Sequence, residues 1–191
     1  MTAPWRSLLA SALHRNRSKP HSRYLQLATV TADGKPANRT VVFRGFLDNS
    51  DSLQFITDSR SQKITQLQHQ ADAEACWYFT KTREQFRFTG TVKIITAAES
   101  DFSLQSARQT IWKNISDAAR SQFTWFYPVK PQVESALPTS SPNPNQPLDN
   151  FCLLLLTPHR VDHLELRGEP QNRCLYILQP DNSWWIQPIN P

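Results

Sequence analysis

From Gln85 to Ile95 the side chains alternate in character. Phe86, Phe88, Val92 and Ile94 share one parity, and Gln85, Arg87, Thr89, Thr91 and Lys93 share the other. A period of two sends successive side chains to opposite faces of a strand. Such a strand needs an apolar layer on one side and a polar environment on the other, which suits an antiparallel sheet with one buried face. Gly90 sits in the middle of the series and marks a kink or a close backbone approach.

The remaining segments extend this pattern. Residues 4–15 carry Trp5, Leu8, Leu9 and Leu13 at helical spacing behind Pro4, and read as a short amphipathic helix that packs on the core. Residues 16–22 read as a polar linker. Arg23 to Val30, Pro36 to Phe46 and Ser52 to Thr57 read as three strands joined by turns at Asp33-Gly34 and at Asp48 to Asp51, a β-meander. Asp58 to Lys63 offers capping side chains ahead of a helix that runs to about His69. Ala75 to Thr80 is a further strand before Gln85 to Ile95. Thr96 to about Ile115 reads as the longest helix, with Ser100 as cap and Phe102, Leu104, Ile111, Trp112 and Ile115 as its apolar stripe. Ser116 to Gln122 continues as a second short helix.

Residues 126–150 differ in kind. Pro128, Pro131, Pro138, Pro142, Pro144 and Pro147 stand among serines and asparagines, which predicts a long loop, mobile or draped over a neighbour. Phe151 to Thr157 is a continuous apolar strand and Arg160 to Leu166 another, with Pro158 as the point where one long strand divides in two. Arg167 to Pro170 makes a turn, and Arg173 to Leu178 with Trp184 to Pro188 forms a closing hairpin. The expected fold is mainly β (α+β): an antiparallel barrel with peripheral helices, one domain over residues 1–191 with a proline-rich insertion at about 126–150.

Composition excludes several alternatives. A chain of 191 residues can bury roughly 70% of its unfolded surface, so no metal or disulfide is needed to hold the fold. Cys76, Cys152 and Cys174 are odd in number and show no CxxC spacing, which argues for a reducing, cytoplasmic setting. No apolar run approaches membrane-spanning length, and no leader-like apolar core follows the first charge. His159 and His163 are four apart on a strand, where helical metal-ligand spacing does not apply, so no metal site is expected. The net charge is +5, but the basic residues are spread singly. That pattern fits convergence on one small anion better than a stripe tracking a nucleic acid.

Asn38 to Gly45 places Arg39 and Arg44 among apolar and β-branched neighbours. A guanidinium on a half-buried strand needs a partner, and its planar fork matches a phosphate or carboxylate. On an edge strand the same arginines would simply reach solvent. By strand parity the two point to opposite faces. The segment Asp58 to Lys63 leads a strand into a helix N-terminus, where free N–H groups and the dipole favour an anion. Ser61 and Lys63 add a hydroxyl and a charge there, or belong to an ordinary capped helix.

Together these residues resemble the pyridoxamine 5′-phosphate oxidase-like, FMN-binding split β-barrel family, in particular its branch of unassigned substrate. The resemblance covers roughly Leu25 to Pro191, with the proline-rich segment unmatched. Asn38-Arg39, then Thr40 to Phe43, then Arg44-Gly45 follow the family's order of arginine, apolar stretch, basic residue and glycine. Phe55-Ile56-Thr57 followed by Ser61-Gln62-Lys63 is similar to its aromatic-Thr and Ser-Arg-Lys elements, with Gln62 in place of arginine and Arg60 nearby as a substitute. Glu84-Gln85-Phe86 stands for Arg-Gln-Val, and Arg173 for the last FMN-contacting arginine.

The resemblance implies FMN as cofactor, held by Arg39, Thr40, Val41, Val42, Arg44, Ile56, Thr57, Ser61, Gln62, Lys63, Gln85 and Arg173. It also implies a homodimer with FMN at the interface. Arg44, Arg120 and Gln171 are its substrate-site candidates. Arg44 stands where the oxidases usually carry lysine, which excludes amine chemistry through it. Glu169 and Gln171 replace an arginine and a histidine that hold the oxidases' substrate, so a different small substrate is expected. The function so implied is an FMN-dependent oxidoreductase. A flavin carrier or sensor without turnover, and a nucleic-acid-binding barrel, are the alternatives.

Overall fold

The computed structural model describes residues 2–125, 128 and 141–191. In chain order they form α1 (Trp5–Asn16), β1 (Tyr24–Val30), β2 (Pro36–Val42), β3 (Leu53–Asp58), α2 (Gln62–His69), β4 (Asp72–Phe79) and β5 (Glu84–Ile95). There follow α3 (Phe102–Asn114), α4 (Asp117–Ser121), β6 (Phe151–Glu165), β7 (Asn172–Leu178) and β8 (Trp184–Ile189). The strands make an eight-stranded sheet in the order β2-β1-β4-β5-β6-β7-β8, with β3 paired to β6 off that path. Every pairing is antiparallel, and the sheet curls without closing, an antiparallel split β-barrel with peripheral helices.

β6 is the spine. Its first six residues, Phe151 to Leu156, are apolar at every position because both faces are covered. Cys152, Leu154 and Leu156 join the main core with Trp5, Leu25, Leu27, Trp77, Phe86 and Phe88. Phe151, Leu153 and Leu155 face a second core with Ile111, Trp112 and Phe123 under α3. The apolar stripe of α1 docks on the main core, with Trp5 and Leu9 fully buried. β5 pairs with β6 along its whole length, β3 with its first half and β7 with its second.

Pro158 does not divide this strand, contrary to the sequence reading. The β5–β6 register shifts between Thr89 and Gly90, so that Thr89 faces Arg160 while Gly90 faces Pro158. A bulge of one residue, His159, absorbs the proline and keeps the strand continuous. Gly90 is required opposite it. A Cβ there would lie 2.2 Å from the Thr157 carbonyl oxygen and 2.8 Å from Pro158 Cα.

Other expectations are corrected by local chemistry. β2 ends at Val42, because Gly45 takes φ +126° and turns the chain. β3 is therefore no third strand of a meander. The segment after β2 meets β3 through Arg44 N–H to Gln54 O and Gln54 N–H to Gly45 O, both 2.9 Å, and through an antiparallel bridge between Phe46 and Leu53, while β3 pairs along its length with β6. α3 starts at Phe102, not Thr96. Its cap is Asp101, not Ser100, since the Asp101 carboxylate accepts from the N–H groups of Ser103 and Leu104. Phe102, assigned to the buried stripe, is 87% exposed at that first turn. Residues 20–23 form a 3-10 turn where a linker was expected. Of the proline-rich segment, residues 126, 127 and 129–140 lie outside the described residues. The part after them lies over α3, where Asn143 O accepts from Trp112 Nε1 at 2.9 Å and Leu148 O from Arg108 at 2.7 Å.

Gly90→Ala is expected to cost roughly 2–3 kcal/mol, because backbone atoms on β6 must move to admit the methyl group. Urea denaturation of the variant reads this directly, and an unchanged midpoint would contradict the close approach.

Candidate functional site

The gap left where β3 departs from β2 is a pocket. Thr40, Val41 and Val42 form one wall, with Arg44 beyond the strand's end. Ile56 and Thr57 of β3 and Lys63 of α2 form the floor, and Phe123, Trp125 and Pro128 the opposite apolar wall. The volume is about 450 Å³, within the range of small-molecule sites. β2 is an edge strand, so one side of its backbone keeps polar groups that no neighbouring strand uses.

Positive charge predominates here: Asp58 also lines the pocket, but Arg60 grips it. Lys63 Nζ donates to Thr57 Oγ1 at 2.7 Å and to Ser61 Oγ at 2.8 Å. Arg39 reaches inward from β2 to Thr29 Oγ1 at 2.6 Å and Gln66 Oε1 at 2.7 Å. Neither has a carboxylate within ion-pair distance among the described residues. Burial, and then repulsion from Arg39, lowers the Lys63 ammonium to about 8, against a smaller opposing pull from Asp58. Arg44 is likewise lowered, by burial and then by Arg23. Its Nε is buried and has no hydrogen-bond partner among the described residues. Ser61 precedes α2 but gives no side-chain cap, since its hydroxyl serves Lys63; its carbonyl accepts from the Ile64 N–H at 2.9 Å, which leaves the N–H groups of Gln62 and Lys63 in the first turn for another acceptor.

The apolar wall is fastened by a polar clamp. Arg60 grips Asp58 through Nε at 2.9 Å and Nη2 at 2.6 Å, and reaches the carbonyls of Phe123 and Trp125 at 3.2 and 3.1 Å. Asn150 Nδ2 donates to Asp58 Oδ2 at 2.7 Å and to Phe123 O at 2.8 Å. Burial alone would raise the Asp58 carboxyl, but these bonds hold it below the usual carboxylate range. Arg60 is thus engaged by Asp58, not held free as a substitute for the arginine that Gln62 replaces.

The pocket gathers Thr40, Val41, Val42, Arg44, Ile56, Thr57 and Lys63, with Arg39 and Ser61 bonded behind them. Gln62 is exposed on the first turn of α2. Because β2 ends before Arg44, strand parity does not govern the relation between Arg39 and Arg44. Gln85 and Arg173 are elsewhere. They face each other across Leu164 on the sheet's outer surface. Arg173 there grips Asp162 at 2.7 and 3.0 Å, next to Arg87 and Glu74. Thr40 belongs to the same surface through the row Thr40, Gln26, Cys76, Arg87 and Asp162.

Arg120 is not brought to the pocket. It is buried beneath the end of α3, donating to the carbonyls of Trp112 and Ile115 at 3.0 and 2.6 Å and pairing with Asp117. Gln171 lies on the β6–β7 loop with Glu169, away from the pocket. Phe123, Trp125 and the Asp58–Asn150 contact were not anticipated. Asn150 is 92 positions from Asp58, and no local pattern signals such a pair.

Residues 2–96 match the family described as pyridoxamine 5′-phosphate oxidase, FMN-binding domain. Over 198 residues the chain is 37% identical to pyridoxine/pyridoxamine 5′-phosphate oxidase 2 of Arabidopsis thaliana, across 99% of this chain and 98% of that protein. A crystal structure of a pyridoxamine 5′-phosphate oxidase-related, FMN binding protein from Nostoc punctiforme PCC 73102 is 55% identical. It covers 100% of both chains, with a TM-score of 0.97. PhzG from Burkholderia lata 383 shares the fold, with a TM-score of 0.78 at 19% identity, over 100% of this chain and 94% of that one.

Asn150→Ala leaves Asp58 and the Phe123 carbonyl short of a donor and is expected to destabilise the fold by about 1–2 kcal/mol. Thermal melting tests this. A variant as stable as the wild type would show that the wall is held by packing alone.

Proposed function

The chain belongs to the pyridoxamine 5′-phosphate oxidase FMN-binding family, and from that premise we propose that it is an FMN-dependent oxidoreductase acting on a small substrate. The carrying observation is the predominant positive charge of Arg39, Lys63 and Arg44 around a pocket with one apolar wall. A dianionic phosphate meets the need of Lys63 and Arg39. Thr57, Ser61 and the first turn of α2 supply neutral donors beside them. The edge of β2 at Thr40 to Val42, facing Ile56, Phe123 and Trp125, suits a flat ring with a polar rim. FMN, when bound, supplies the hydride or electron transfer. The protein's own part is to hold the phosphate, fix the ring against β2 and exclude water with the Phe123–Trp125 wall.

The site as proposed is completed by a second copy. Gln85 on β5 is three strand spacings from β2, and Arg173 on β7 is five. At ~4.8 Å per strand these are roughly 14 and 24 Å along the sheet. One ligand lying along β2 does not span that distance, whereas a copy facing the same sheet surface brings its own Gln85 and Arg173 to it. A homodimer is the assembly this supports. The three cysteines are free, as a reducing cytoplasm would keep them.

The substrate is read as different from pyridoxamine 5′-phosphate. Arg44 remains for an anionic substrate group, but Glu169 stands in the loop before Arg173 and repels a phosphate there. The name of the Arabidopsis relative makes pyridoxamine 5′-phosphate the compound to test. Little oxygen consumption is expected with it, and rapid turnover would overturn this assignment of substrate.

Purified protein is expected to be yellow and to retain FMN. Lys63→Gln is expected to weaken FMN binding by about tenfold or more, the loss of a charge-assisted contact. Below about pH 8 Lys63 is protonated and attracts the phosphate, and above it the charge is lost. FMN affinity should therefore be greatest below pH 8 and fall as pH rises through it, with Lys63→Gln flattening that dependence. Fluorescence titration of FMN at several pH values measures both effects. Colourless protein that takes up no added FMN would reject the proposal.

A further inference from the structure

A second polar cluster lies away from the flavin pocket, where β5 and β6 end together. Glu84 faces Glu165, and Phe86, two residues on, faces His163. Successive rows on one sheet face thus carry two carboxylates and an imidazole. Their nearest donor atoms all lie within 4.8 Å of one another. Glu84 and His163 are 2% and 4% exposed. His163 Nε2 is 3.2 Å from Glu84 Oε2. Phe86 stacks on the imidazole at 4.1 Å and 15°, which fixes the ring's direction.

The charge of this cluster is balanced in part by Arg15, and by His163 only when its imidazole is protonated. Arg15 of α1 reaches Glu84 Oε1 at 2.8 Å from a half-exposed position. Glu165 has no ion-pair partner among the described residues. Its nearest polar contact is the Asn172 amide at 3.5 Å. Two carboxylates held this close are costly in a buried place unless a further cation joins them. The cluster also has access. His163 and Glu165 border a cavity of about 300 Å³, which continues past Cys174 and Tyr176.

We propose that Glu84, His163 and Glu165 form a divalent transition-metal site, with zinc as the cation and the fourth position open to this cavity. One nitrogen and two carboxylate oxygens are a zinc donor set, and three protein ligands with an open position make an accessible site. At zinc–ligand distances of about 2.0–2.2 Å, neighbouring ligands in a tetrahedron stand about 3.3–3.5 Å apart. The His163–Glu84 spacing is already near that edge. Calcium and magnesium are disfavoured, since they take six or more oxygens and the imidazole offers nitrogen. None of the three residues lines the flavin pocket, although Arg173, assigned above to the flavin site of the facing copy, borders the same cavity as His163 and Glu165.

The test is calorimetric titration of the full-length protein with zinc chloride, alongside cobalt(II), whose visible spectrum reports tetrahedral coordination. His163 supports the core through Phe86, so the variant of choice is Glu165→Gln at the part-buried position. One zinc per chain is expected. Glu165→Gln should weaken binding about tenfold or more, since loss of even an outer-sphere partner has that effect. His159→Gln, at an exposed histidine on the same strand, should bind as the wild type does. Absence of saturable binding, or affinity unchanged in Glu165→Gln, would overturn the proposal. FMN uptake by that variant, measured separately, keeps this outcome distinct from failure of the flavin reading.

Discussion

Lys63 is held by two hydroxyls and, among the described residues, by no carboxylate. Thr57 and Ser61 accept from its ammonium at 2.7 and 2.8 Å, while Arg39 stands close enough to repel it. Folding alone gains little from placing two cations together in a half-buried pocket. The arrangement persists because rigid elements impose it. β3 is fixed to β6, α2 follows directly from β3, and Gln66 on α2 ties the Arg39 guanidinium down. The pocket is therefore set up for an anion before one arrives. Such preorganisation is where a fold can direct stability it has accumulated elsewhere.

That stability comes from β6. A strand of 15 residues with two covered faces over its first six ties both cores to one element. The close approach of Gly90 to Thr157 and Pro158 keeps β5 and β6 joined through a proline that would otherwise end the ladder. Where the partner of β6 changes from β3 to β7, the sheet splits. The pocket lies at the far end of β3 from that split, where Ile56 and Thr57 pair with Leu153 and Cys152 at the start of β6.

Much of this could be read from the residues. The period-two pattern around Phe86 and Phe88 specified a half-buried antiparallel strand, and Gly90 marked the close approach. Arg39, Thr57, Ser61 and Lys63 each lie on or beside a short, patterned segment, and the structure brings them together. The errors arose where distant partners decide. Pro158 looks like a strand breaker until Gly90 is placed opposite it. Arg120 looks free until the carbonyls at the end of α3 are seen around it. Phe102 fits an apolar helical stripe, but Asp101 starts the helix so that Phe102 points outward. The Glu84–His163–Glu165 cluster escaped because its members sit on two strands, while histidine spacing was judged along one.

As proposed above, the pocket recognises a phosphate through Arg39 and Lys63, with the flat ring a second contribution. Comparing FMN with riboflavin isolates it, since the two differ only in the phosphate. Equilibrium fluorescence titrations at pH 7 should show FMN binding at least about a hundredfold more tightly, the sum of two charge-assisted contacts. Equal affinity for riboflavin and FMN would show that the cations serve some other partner.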